Sequence, residues 1–180
     1  PRACPNRLET TLRNGGTTGE PMDDLSAHHE AGHALMAIVC GAEVLSVTID
    51  PDRDDGPARH ADIQVAWPSE RFPERRRRES IVLVALAGPV AEMIHTGEPY
   101  HPGFVAEWAA DWRVAWEAAS TLVPDERRRL AYLEQVTAEL HRSLCRDRHW
   151  AALAAIVDEL SAHETLDGEE VEAIVRQWLD

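Results

Sequence analysis

The chain has 180 residues, 44% of them apolar and 28% charged, which reads as one soluble, globular domain with room for a core. Its 18 basic and 32 acidic residues leave a net charge of −14, the wrong sign for a nucleic-acid partner. The longest apolar stretch, 81–94, is too short for a membrane segment and holds Gly88-Pro89. The three cysteines, Cys4, Cys40 and Cys145, form no CxxC pair. Their odd number and the absence of a signal-peptide core at the start predict a reducing, cytoplasmic setting without a disulfide framework.

Residues 1–22 read as a flexible tail, because Asn14-Gly15-Gly16-Thr17-Thr18-Gly19 carries no apolar period. A single domain is expected over 23–180. Its first helix should be capped by Asp23 or Asp24 and end at Cys40, before Gly41. Alternating Val44, Val47 and Ile49 predict a strand over 43–49. The turn-rich run 50–57 follows, and a second strand over 61–67 could complete a hairpin. Beyond it, apolar periodicity predicts helices over 73–95, 104–122, 124–146, 148–163 and 168–179. Pro124 suits a first helical turn, and Asp167 with Glu170 three residues on resembles a capping box. The fold class is therefore mostly α, with a small β-hairpin or sheet beside the first helix.

That first helix carries His29-Glu30-Ala31-Gly32-His33. Histidines four apart leave one face of a helix, so both rings can reach one ion, and neutral imidazole suits zinc. Glu30 stands beside such an ion without binding it. From there it can take a proton from a water acidified by the metal and pass it to a leaving amine. Fortuitous histidines on an ordinary helix are the alternative. The apolar continuation Ala34-Leu35-Met36-Ala37-Ile38-Val39 argues against it, because buried polar groups need partners. His28 lies about 100° around the helix from that face and is expected to be a solvated first-turn residue. Gly32 costs about 1 kcal/mol relative to Ala inside a helix; a close backbone approach near the metal or packing alone would account for it.

Catalytic zinc takes three protein ligands. Glu92, His95, His101, Glu107 and Asp111 are the candidates for the third. Asp111 fits best, because Trp108, Ala115, Ala118 and Leu122 place it on an apolar stripe where a lone carboxylate is costly. Pairing of Asp111 with an arginine is the competing explanation. Trp108, Trp112 and Trp116 repeat every four residues, which favours core packing over a substrate platform. Arg75-Arg76-Arg77-Arg78, flanked by Glu74 and Glu79, reads as a solvated helix face.

Taken in order, these segments resemble the peptidase domain of FtsH-type ATP-dependent zinc metalloproteases. His29 to Leu35 resembles the zinc helix of that family. Val44 to Pro51 resembles the strand and turn after it. Leu86-Ala87-Gly88-Pro89-Val90-Ala91-Glu92 resembles a helix that usually carries Gly-Gly-Arg-Ala-Ala-Glu, with Ala87 and Pro89 as departures. Ala110-Asp111-Trp112 falls where the family has its aspartate ligand, and 153–175 resembles the closing helices. The likeness spans 26–176.

The resemblance implies a helical, zincin-like peptidase domain. Its zinc cofactor would be held by His29, His33 and Asp111, with Glu30 as general base. The implied function is hydrolysis of peptide bonds in peptides or unfolded proteins. No GxxxxGK[ST] phosphate loop occurs, so a stand-alone peptidase or one fed by a separate ATPase partner is expected, with oligomer formation open. Extended substrate would lie along a sheet edge from 43–49 or 61–67. The alternative is a non-catalytic zinc-containing protein-interaction module derived from such a peptidase.

Overall fold

The structure, a computed structural model, describes residues 21–50, 62–98 and 101–179. The expected tail and most of the turn-rich run 50–57 lie outside the described residues. The first helix, α1, runs Pro21–Cys40, two residues ahead of the expected Asp23 start. It closes on Gly41, whose φ of +85° suits glycine. Two backbone bonds, Gly41 N–H to Ile38 O and Ala42 N–H to Ala37 O, finish the turn.

Strand β1 (Glu43–Thr48) follows at once, and β2 (Asp62–Ala66) pairs with it antiparallel. A third strand, β3 (Thr165–Asp167), lies on the other side of β1, giving the order β2-β1-β3. Strand β3 is not among the expected elements, because three residues show no alternation long enough to separate them from a helix cap. The finding also corrects the expected substrate edge. Strand β1 is central, paired with β2 along its length and with β3 over Ser46, Val47 and Thr48, so among the described residues the outer edges belong to β2 and β3.

The second helix, α2 (Glu74–Thr96), ends at Gly97 in the left-handed region. It is long and apolar enough to qualify as a membrane span by length and composition, but two-thirds of that stretch is covered by the protein. Pro102–Phe104 and Ala106–Trp108 form two 3-10 turns before α3 (Ala109–Ser120). The single helix expected over 104–122 is therefore shorter. Next come α4 (Glu126–Leu144), α5 (Asp147–His163) and α6 (Gly168–Leu179). Asp125, not Pro124, begins α4: its carboxylate accepts from Arg128 N–H at 2.9 Å.

At α6 the capping box is complete, with Glu170 N–H to Asp167 Oδ1 and Asp167 N–H to Glu170 Oε2, both 2.9 Å. Gly168 is required just there, because a Cβ would strike the Val44 carbonyl oxygen at the bulge in β1.

The core is built around α1. It packs against α2, α5, α6 and the sheet, and 30–37 is buried without interruption. Alanines at 27, 31, 34 and 37 thin the helix so that neighbours can approach from every side. Gly32 lies at the tightest crossing: a Cβ there would sit 2.6 Å from Ala87 O and 2.8 Å from Ala91 Cβ. Its reason is helix packing. Arg75 to Arg78 lie on the outer face of α2, where Arg75 meets Glu79 and Arg77 and Arg78 meet Glu74.

Candidate metal centre

His29 and His33 face α2 one turn apart, and α2 answers with the same period. Val84, Gly88 and Glu92 are spaced four and four, so they share a stripe. The Val84 carbonyl accepts from His33 Nδ1 at 2.7 Å. Glu92 Oε1 accepts from His29 Nδ1. Gly88 leaves room between them, because a Cβ there would come 2.7 Å from Cε1 of the His33 ring. Pro89 also removes the N–H that would otherwise bond the Ala85 carbonyl in this turn.

These partners decide the tautomers. A carbonyl and a carboxylate can only accept, so each Nδ1 carries the hydrogen and each neutral ring keeps its lone pair on Nε2. The two Nε2 atoms lie 2.9 Å apart. Asp111, from the first turn of α3, brings Oδ2 to 3.1 Å from His29 Nε2 and Oδ1 to 3.5 Å from His33 Nε2. Tetrahedral zinc at its usual bond lengths holds such donors about 3.3 Å from one another. Three electron-rich atoms at this spacing repel unless a positive charge lies among them.

The acid–base properties point the same way. Burial disfavours charge on His29, but the bonds to Asp111 and Glu92 and the charges of Glu30 and Asp111 outweigh it and lift its pKa to about 10. Burial and then the charge of His29 push His33 down to about 4, against Asp111 and the Val84 bond. Burial would raise Asp111, yet the His29 bond and both imidazole charges hold its carboxyl below the ordinary range. The triad stabilises one positive charge at its centre, which a proton on His29 or a divalent cation supplies.

The other sequence candidates go elsewhere. Glu92 touches the far nitrogen of His29. His95 meets Asp24 and His28. His101 accepts from Gly103 N–H and lies 3.5 Å from Glu134. Glu107 is exposed. Glu30 is buried and close enough for its charge to act on His29. Asp111 shares its stripe with buried Trp108, Ala115 and Ala118 and keeps 21% side-chain exposure, so the triad opens to solvent on the α3 side.

His28 departs from expectation. It is 7% exposed rather than solvated, because α5 and the end of α2 cover the flank of α1 that one-helix geometry leaves open. Trp108 is buried, while Trp112 and Trp116 are half-buried against the core. The guanidinium of Arg129 sits 4.7 Å over the Trp116 ring. Cys145 is in a disulfide and Cys40 is a free thiol, a state that the scattered spacing did not predict. No protein-family model matches the chain, and no curated protein matches it either.

Proposed function

We propose that the chain is a zinc-dependent metallopeptidase domain of the FtsH type. The observation that carries this reading is the convergence of His29 Nε2, His33 Nε2 and an Asp111 carboxylate oxygen within 4.8 Å, with both Nδ1 atoms already committed to acceptors on α2. The three residues that the resemblance implies as ligands are one of the donor groups that converge in the fold. His29, His33 and Asp111 would hold the ion. When bound, zinc supplies Lewis acidity, which acidifies water and polarises a substrate carbonyl. Glu30 accepts the proton of the attacking water and delivers it to the leaving amine. Glu92 and the Val84 carbonyl fix the imidazole orientations, as partners of metal-bound histidines do. Peptide substrate in extended form takes main-chain hydrogen bonds from a sheet edge that is unpaired among the described residues, and β2 is the longer of the two outer strands.

The donor number supports this reading over a zinc-containing interaction module. Structural zinc takes four protein ligands, whereas catalytic zinc takes three and leaves a position for water. Among the described residues the cluster has three. The deciding experiment is Glu30→Gln with zinc content and peptide cleavage measured on one sample. Zinc should stay at the wild-type level while kcat falls by about 10²–10⁴. Equal cleavage by the variant and the wild type would remove Glu30 from the mechanism.

A further inference from the structure

One residue back along α1, a second set of donors lies outside the centre just described. Asp24 and His28 stand four apart on α1, and His95 comes from the last turn of α2. Asp24 Oδ1 is 3.4 Å from His28 Nδ1, and Oδ2 is 3.2 Å from His95 Nε2. One donor atom from each of the three lies within 4.8 Å of the others. The imidazole rings are stacked, with centroids 3.7 Å apart, and Trp150 from α5 lies beyond His28 at 6.1 Å.

From this geometry we infer a second cation site at Asp24, His28 and His95, for a borderline divalent ion such as Zn²⁺, Ni²⁺ or Cu²⁺. Two imidazoles and one carboxylate suit such ions and disfavour Mg²⁺ and Ca²⁺, which prefer oxygen. The separations of 3.4 and 3.2 Å match the roughly 3.3 Å expected around tetrahedral zinc. Access is one-sided: Asp24 is 54% exposed at its side chain and His95 29%, while His28 forms the buried wall. His28 Nδ1 also lies 2.7 Å from the Asp24 carbonyl oxygen, so metal entry through that nitrogen exchanges this bond for one to the ion.

The ion would tie the first turns of α1 to the last turn of α2. These are the two helices that carry His29 and Glu92, so a bound ion would steady the frame of the first centre without entering it. This inference stands whether or not the peptidase reading does.

The test is a zinc count on untagged, chelator-stripped protein, by equilibrium dialysis at low micromolar zinc with elemental analysis. Wild type should hold two ions per chain. His95→Ala and Asp24→Asn, both at partly exposed positions that spare the core, should each hold one. His29→Ala should also hold one, and His29→Ala with His95→Ala none. Loss of merely supporting partners weakens metal sites about 10–100-fold, so loss of a ligand should empty the second site at this concentration. A wild-type count of zero, or counts in His95→Ala and Asp24→Asn equal to wild type with native circular dichroism, overturns the proposal. An unchanged count in His29→Ala, with one ion lost in His95→Ala, would remove the first centre and keep this one.

Discussion

His28 and His29 are consecutive, yet the clusters they join are built in different ways. Around His29, the opposite nitrogen of each histidine is bound by α2, and the carboxylate arrives from a third helix. Around His28, the carboxylate belongs to the same helix four residues back and is mostly exposed. The first arrangement is held by side chains whose positions the core dictates. The second is held by one stacked pair and one solvated side chain. Preorganised donors lose little freedom on binding, so the inner cluster should bind zinc more tightly than the outer one. That difference can be broken or sharpened from either side.

The largest effect should come from Gly88. Gly88→Ala drives a methyl group into the His33 ring. The ring cannot retreat without leaving the Val84 carbonyl, so overpacking should cost about 1–3 kcal/mol and the inner zinc should be lost. The nearest atoms to that methyl group all belong to His33 and none to the outer cluster, which should keep its ion. A thermal melt together with a zinc count reads both effects. Retention of inner zinc by a folded Gly88→Ala protein would show that His33 does not need the place it occupies. Next in size is Glu92→Gln, which keeps the shape but removes the charge on the far side of His29. Inner zinc affinity should fall about 10–100-fold with the outer site unchanged, as measured by competition with a chelating dye.

Much of this was legible beforehand, because it rests on local periodicity. The helix bearing His29 and His33, the β1–β2 pairing and the capping box at Asp167 each follow from spacings of two, three or four residues. What escaped depends on how elements meet. Helical geometry placed His28 about 100° from the His29 face and stopped there. It could not show that α1 is wrapped on nearly every side, which buries a residue expected to be solvated. Glu92 was visible as a carboxylate near the right segment. Its role needed the stripe Val84-Gly88-Glu92 to be set against His33 and His29 in antiparallel order, which is a tertiary fact. The signal was present all the same: a glycine four residues before a glutamate, in an apolar helix, marks where something large and polar must fit.

A smaller effect separates the clusters by pH. His29 of the metal-free protein has its pKa raised to about 10. A group raised above its unfolded value of about 6.5 adds stability that is complete below that value and is lost as pH climbs through the folded one. Metal entry has to displace this proton. Between about pH 7 and 9 the apparent affinity of the inner site should therefore rise roughly tenfold per pH unit, with about one proton released per ion. Calorimetric titration in buffers of different ionisation enthalpy, run on His95→Ala so that only the inner site contributes, measures that proton. A release near zero would mean that His29 is already neutral and that the Asp111 and Glu92 bonds do not hold a charge there.

The smallest effect should come from a site that belongs to neither cluster. Asp167 bonds the N–H of Glu170 at the start of α6 and lies in β3 opposite Ser46. Asp167→Ala removes the side-chain cap and leaves the backbone pairing of β3 intact. The cost should be about 1 kcal/mol, or roughly 2–4 °C in Tm for a chain of this size. Both zinc affinities should remain at wild-type values, because no residue of α6 belongs to either donor group. A drop in inner-site affinity would mean that the closing helix helps to set the position of α1. The inner cluster would then depend on more of the fold than the α1–α2 stripe and Asp111, and the contrast between the two clusters would reflect the whole domain rather than their immediate partners.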